Sequence, residues 1–311
     1  MSHTIQMYDP KREYKVYKRE IDNAIRCVLN HGLFVNGPEV KLLEPQLAEF
    51  VGVKHAITCS NGTDALKVSL LALGVNPGDE VITVAHTWIS TAEVISLINA
   101  KPVFCDICPD TFNMDHTKLE ALITDKTKAI MPVSLYGQTA HMNAINEIAE
   151  KHNIPVIEDG AQSFGATYKG KQSCNLSTIG TTSFFPSKPL GGYGDGGAMF
   201  TNDDELANKM RQIKNHGCAK RFHHKYIGMN ARMDTIQAAI IGTKLKRYNQ
   251  TMMKRKRCAA RYINQLKKTP LIKLPSIKED RECVWAQFSI LAESNNMRDI
   301  ICSITFVINL V

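Results

Sequence analysis

Four short stretches of this chain place polar residues at the ends of apolar runs, where a ligand of an open sheet would sit. The first is Ser60-Asn61-Gly62-Thr63-Asp64. Gly62 lets the backbone approach a ligand, and the amides of Gly62 and Thr63 open a helix whose dipole favours a phosphate. The same residues also suit a plain turn capped by Thr63 or Asp64. The second is Trp88, just past a strand ending at Val84. Most aromatics at such a point are core, but an indole can also stack on a flat heteroaromatic ring. The third is Glu158-Asp159-Gly160-Ala161-Gln162-Ser163, after apolar Pro155–Ile157. An acid there can bind a metal, cap a helix or pair with a protonated ring nitrogen, and Gln162 is placed to reach a ring hydroxyl. The fourth is Ser183-Phe184-Phe185-Pro186-Ser187-Lys188-Pro189-Leu190, ahead of the glycine cluster 191–197.

Lys188 decides between these alternatives. Flanked by Pro186 and Pro189 on a tight loop after a buried strand, it is poorly placed to be a solvated surface charge. A Schiff-base lysine needs such confinement, because only the neutral amine attacks an aldehyde. For pyridoxal phosphate (PLP), a carboxylate at Asp159 would keep the pyridine nitrogen protonated and preserve the electron sink. Ser183 can offer its hydroxyl to the phosphate that Gly62 and Thr63 would hold. Each stretch alone has a bland structural reading. All four in this order make the bland readings improbable.

The elements that must position these residues follow an α/β pattern with a largely parallel sheet. Strands are expected at Ala56–Cys59, Glu80–Val84, Pro102–Ile107, Ala129–Leu135, Pro155–Glu158, Thr181–Phe185 and Ala198–Thr201. Helices are expected at Asp64–Leu73, Thr91–Asn99 and Ala140–Lys151. From about Ile236 the chain turns helical and basic, then reaches a candidate strand at Cys283–Ile290. These features divide it into a large domain, 1–240, and a small α+β domain, 241–311.

Composition excludes several other classes. At 311 residues the chain can bury a sizeable core. The stretch Met1–Glu20 lacks the apolar run of a signal peptide, so a cytoplasmic protein is expected. The run Ile300–Val311 is too short to span a membrane. Nine cysteines without regular spacing fit free thiols. Cys105 and Cys108 form a CxxC with no second pair, so they read as small residues of a buried strand, Val103–Ile107, and no metal is expected. The formal charge of +8 is concentrated between Leu206 and Thr269, where seventeen Lys or Arg stand with a single acid, Asp234. No nucleic-acid motif accompanies that stripe, so a diphosphate-bearing substrate or a solvated face is preferred to nucleic acid. His216, His223 and His224 read as surface or entrance residues, since Lys188 already supplies a base.

The segments SNGTDAL, VIEDGAQSFGA, SFFPSKPLGGYGDGGA and IGMNARMDTIQAA resemble the signatures of the DegT-type nucleotide-sugar aminotransferases, fold type I PLP enzymes. The likeness runs from about Tyr8 to Ile290. The stretch from Lys171 to Ala207 is most similar to the branch that aminates UDP-2-acetamido-2-deoxy-3-oxo-glucuronate with glutamate, for surface polysaccharides. The resemblance implies a mostly parallel seven-stranded sheet and a homodimer with shared sites. It implies that Lys188 forms the Schiff base and shuttles protons, and that Asp159 pairs with the ring nitrogen. Trp88 would cover the ring, Gly62, Thr63 and Ser183 would hold the phosphate, and Gln162 would contact the ring hydroxyl. Asn230 would reach the phosphate from the neighbouring subunit. Gly32, Phe34, Ser187 and Arg232 match positions lining the sugar pocket, with Arg232 the candidate for the uronate carboxylate.

After Val284-Trp285-Ala286-Gln287-Phe288-Ser289-Ile290 the family pattern continues, while Leu291–Val311 does not align with it. A truncated small domain is therefore expected. Three other readings compete: a transaminase of a neutral 4-keto-6-deoxy sugar, the dehydratase branch, which carries histidine where this chain has Lys188, and a degenerate chain acting only as a binding protein.

Overall fold

The structure, a computed structural model, describes residues 8–308, with side chains through Cys302. The first seven residues of Met1–Glu20 and the last three of Ile300–Val311 lie outside the described residues.

Two helices, unassigned above, precede the first strand. Helix α1 (Pro10–His31) starts at Asp9, whose carboxylate accepts from Arg12 N, with proline in its first position. It stops at Gly32, which takes the left-handed conformation at φ 69°. Helix α2 (Pro38–Val51) has the same plan, a leading proline and a left-handed Gly52. Elements then alternate: β1 (His55–Cys59), α3 (Gly62–Leu73), β2 (Glu80–Val84), α4 (Ser90–Leu97), β3 (Lys101–Cys105), β4 (Thr127–Ile130), α5 (Met142–Lys151), β5 (Ile157–Asp159), β6 (Ile179–Ser183), β7 (Gly197–Thr201) and α6 (Asp204–Ile213). Helices α7 (Thr235–Leu245) and α8 (Tyr248–Leu266) follow, and α9 (Asn295–Ile308) comes last. Residue 240, the expected domain boundary, falls inside α7, where Ile240 packs on Tyr17 and Ile21 of α1.

Strand β2 pairs in parallel with β3 and β4, and β5 pairs in parallel with β6. Parallel bridges Ile130↔Val156 and Val133↔Asp159 join these two ladders. Strand β7 runs antiparallel between β6 and β1. The order is thus β3-β2-β4-β5-β6-β7-β1, seven strands with one reversed. Because β1 and β6 both oppose β7, they point the same way as the rest. The ends of β1, β2, β5 and β6 consequently share one edge, and the four chemically interesting stretches begin there.

Apolar side chains fill both faces of the sheet. Ile57, Val81, Ala129, Ile157 and Met199 pack with α3 residues Ala65, Leu66 and Leu70 on one side. On the other, Leu43 and Leu47 of α2 join Phe164, Phe184, Phe200 and Tyr248. Burying each such side chain contributes roughly 1.5–3 kcal/mol relative to leaving it in water, so the sheet is a stiff support for its edge loops.

Two expectations fail here. Cys283–Ile290 is not a strand. It runs along the Tyr136-Gly137 turn instead, with Val284 N donating to Gly137 O and Gln287 N to Tyr136 O. Trp285, at φ 54°, breaks the extended geometry a ladder needs. The ladder residues are the flanking pairs: Arg281–Glu282 against Thr167–Tyr168, and Leu291–Ala292 against Ile272–Lys273. Secondly, Val103–Ile107 is not a fully buried strand. Strand β3 is the sheet's edge and ends at Cys105, and Phe104 is 50% exposed.

Candidate active site

Asn61, rather than Thr63 or Asp64, caps α3: its Oδ1 accepts from Asp64 N at 2.7 Å. Asp64 in turn accepts from Asn61 Nδ2 at 2.9 Å and from Ser60 Oγ. The cap engages the Asp64 amide, with the Gly62 and Thr63 amides ahead of it at the start of α3. Gly62 is required there by space, since a Cβ on it would lie 2.7 Å from Ser183 Cβ. Gly62 and Ser183, remote in sequence, are therefore brought together. Thr63 Oγ1 lies 2.8 Å from Ser90 Oγ, which adds the start of α4 to the same cup. One glycine, two amides and three hydroxyls form a cradle suited to a phosphate group.

Asp159 ends β5 and is 7% exposed. It accepts from Ala161 N at 3.1 Å and Thr91 Oγ1 at 3.4 Å. Burial pushes its carboxyl above the ordinary value, against the pull of the Ala161 amide and of the Lys188 charge. Lys188 is half-buried on the turn after β6, with its own N–H bonded to Phe185 O at 2.8 Å. Burial holds its amine below the usual lysine range, and only Asp159 pulls the other way. A depressed amine opposite a buried carboxylate is the charge arrangement a carbonyl-binding lysine needs.

Gln162 is committed at one end. Its Oε1 accepts from Tyr136 N at 2.9 Å, leaving Nε2 as the group free to meet a ring oxygen. Trp88 stands on the loop between β2 and α4 and is 72% exposed, not core. Arg232 is half-buried, and its Nη1 donates to Asn215 Oδ1 at 2.8 Å. It forms no ion pair with Asp234 among the described residues. Ala231 O accepts from Ser60 N, so the segment carrying Asn230 and Arg232 lies beside the phosphate cup. Asn230 itself is exposed.

Gly32 ends α1 with open space where a Cβ would be, and Phe34 is 48% exposed. Their loop is tied to the segment after Arg232: Thr235 N donates to Phe34 O, and Gly37 N to Thr235 Oγ1. Ser187 is exposed in the turn next to Lys188. His223 and His224 sit on an exposed hairpin, and His224 Nδ1 lies 2.8 Å from His216 O. Ser90 and Thr91 were not singled out in the sequence. Their signal was the same as elsewhere, hydroxyls opening a helix after a strand. A separate cleft, lined by Phe112, Tyr136, Gln138 and Trp285, contains neither Lys188 nor Asp159.

The DegT/DnrJ/EryC1/StrS aminotransferase family matches residues 15–305. The chain belongs to this family. It is 55% identical over 286 residues to the UDP-2-acetamido-2-deoxy-3-oxo-D-glucuronate aminotransferase of Pseudomonas aeruginosa, covering 92% of this chain and 79% of that one. It is 44% identical to the GDP-perosamine synthase of Caulobacter vibrioides, over 79% of this chain and 67% of that one. Among solved structures, Streptomyces venezuelae DesV superposes with a TM-score of 0.94 at 35% identity, covering 97% of this chain and 82% of DesV. Bacillus subtilis NtdA, solved with bound PMP, gives 0.87 at 36% identity, covering 94% and 67%. The fold is thus that of fold type I PLP enzymes, and PLP is the cofactor of this aminotransferase. The residues on the sheet edge fit it: a phosphate cradle, a buried acid, an amide donor and a confined lysine.

Proposed function

We propose that this aminotransferase places an amino group on a UDP-linked 3-oxo sugar, a 2-acetamido-3-oxo-glucuronate, with glutamate as donor. The observation that carries the chemistry is the half-buried Lys188 amine, held below its usual range by burial and facing the carboxylate of Asp159. PLP, when bound, supplies an electron sink for the carbon that loses a proton. Lys188 Nζ takes that proton and returns it, and its neutral form is favoured by its burial. Asp159 holds a positive ring nitrogen, and the N-terminal amides of α3 with Ser183 and Thr63 hold the phosphate. Trp88, on its exposed loop, would cover the ring and keep water from it. The 55% identity to the P. aeruginosa enzyme supports the choice of sugar.

Arg232 supports it too. A guanidinium binds a carboxylate through two parallel bonds, which a methyl or hydroxymethyl group cannot match. Asn215 holds one arm of Arg232 and so orients the fork. Gly32, Phe34 and Ser187 would contribute to the same sugar site, a reading supported by the bond from Thr235 N to Phe34 O near Arg232 and by the place of Ser187 beside Lys188. Exposed Phe34, Trp88, Ile89 and Phe185 stand on the loops that carry the site, which supports a homodimer in which Asn230 of each subunit reaches the other's phosphate. The basic run from Leu206 to Thr269 suits a diphosphate-bearing substrate. Steady-state kinetics with charged and neutral keto sugars test the substrate. Arg232→Ala is expected to lower kcat/KM selectively for the uronate, by about 10- to 100-fold, and Arg232→Lys to lose most of the same selectivity. Equal losses for both sugar classes would remove Arg232 from the substrate site.

A further inference from the structure

We propose that Glu158 is a positioning residue whose carboxylate fixes the Tyr136 turn and so aims the Gln162 amide at the ring oxygen of the cofactor. This rests on the PLP reading above. Neighbours on a strand point to opposite faces, so while Asp159 faces the cofactor edge, Glu158 faces away and is fully buried. Its Oε1 accepts from Ser134 Oγ at 3.0 Å and Ser173 Oγ at 2.7 Å, and its Oε2 from Cys174 N at 2.7 Å. Three donors converge on one group, which suits an acceptor-only carboxylate and not an amide.

The two partners lead to the same place from opposite sides. Ser134 opens the turn that continues through Leu135 to Tyr136, and its N–H is bonded to Asp159 O at 3.0 Å. Tyr136 sits at φ 60°, a conformation that non-glycine residues adopt only when held. Its N–H donates to Gln162 Oε1, so the Gln162 amide cannot turn over without losing that bond. On the other side, Cys174 presses on the turn that leads to Gln162. A Cβ on Gly160 would stand 2.6 Å from Cys174 Sγ. One buried carboxylate therefore clamps the turn in front of Gln162 and the wall behind it.

The consequence is spectroscopic. A donor from Gln162 Nε2 draws charge from the ring oxygen and weakens its hold on the proton shared with the Lys188 nitrogen. Loss of that donor moves the pH midpoint of the visible absorbance of PLP-loaded protein upward. Glu158→Gln is expected to raise the midpoint by about half a pH unit or more, a differential of roughly 0.7 kcal/mol, in the same direction as Gln162→Leu. The double variant is expected to move no further than Gln162→Leu alone, because both act through one amide. A Glu158→Gln protein with lowered Tm and an unmoved midpoint would make the residue merely structural and overturn the proposal, as would additive shifts. Should Glu158→Gln not fold, Ser134→Ala decides, since it removes one link of the chain: an unmoved midpoint overturns the proposal. Absence of any visible band in the unsubstituted protein with PLP would instead overturn the cofactor reading, and this inference with it.

Discussion

Lys188 is expensive to the cofactor-free fold and indispensable to the loaded one. Its amine is held below the ordinary lysine value by burial. The folded state therefore binds protons less readily than the unfolded chain, and stability rises with pH up to the unfolded value of about 10.4. Lys188→Met is expected to raise the Tm of PLP-free protein at neutral pH, and the gain should shrink as pH climbs through the folded value toward the unfolded one. Thermal melts at several pH values measure this, and a constant gain would contradict the assigned burial cost. In PLP-loaded protein, Lys188→Ala should abolish both the aldimine absorbance and transamination, whereas Lys171→Ala, exposed in a short hairpin strand against Tyr168, should do neither. Asp159→Asn should keep PLP bound yet lower turnover by about two to three orders of magnitude, since an amide does not stabilise a positive ring nitrogen. Near-native rates would remove Asp159 from that role. These two residues were legible in the sequence because chemistry restricts them to few types and the flanking prolines and strand betray confinement. Ser90 and Thr91 were not, since a hydroxyl at a helix start serves capping as readily as binding. Only the 2.8 Å approach to Thr63 and the contact with Asp159 distinguish them.

Between β1 and α3 the cup depends on one missing methyl group. Gly62→Ala would drive a Cβ to 2.7 Å from Ser183 Cβ. The expected outcome is a stability loss of about 1–3 kcal/mol together with weaker PLP binding. Adding Ser183→Gly should restore stability but not the affinity, because it returns space while deleting a phosphate-binding hydroxyl. Denaturant titration and PLP titration of the single and double variants separate the two effects. Most strands were placed within a few residues because apolar runs bounded by Pro, Gly and Asn mark them well. The ladder partners were not visible, and neither was the failure of Cys283–Ile290 to pair. That segment alternates like a strand, but its backbone bonds go to the Tyr136-Gly137 turn, a tertiary contact that no local pattern encodes. Helices α1 and α2 carry capping residues, Asp9, Gly32 and Gly52, and α1 adds a one-sided apolar stripe through Tyr17, Ile21 and Val28.

At the scale of the whole molecule the sharpest test is complementation between subunits. Lys188→Ala leaves Asn230 intact, and Asn230→Ala leaves Lys188 intact. If each Asn230 serves the partner's site, mixed dimers of the two inactive variants contain one site with both residues native, and activity should return on mixing under exchange conditions. No return of activity from verified mixed dimers would place Asn230 in its own subunit's site.

Strand β1 sits at one margin of the sheet, and its ladder partner is β7, reached only after the entire intervening α/β segment. A ribosome releasing this chain exposes the Ser60-Asn61-Gly62 half of the cup long before Ser183 and Lys188 exist. Contacts so distant in sequence form late and slowly, and the waiting strand offers unsatisfied amides to any passing edge. A vitamin-derived ligand that grips both halves at once would then act on biogenesis as well as on catalysis, favouring the closed sheet by mass action. The yield of soluble protein from cells starved of that vitamin should fall more steeply than the yield of a protein whose binding loops are neighbours in sequence.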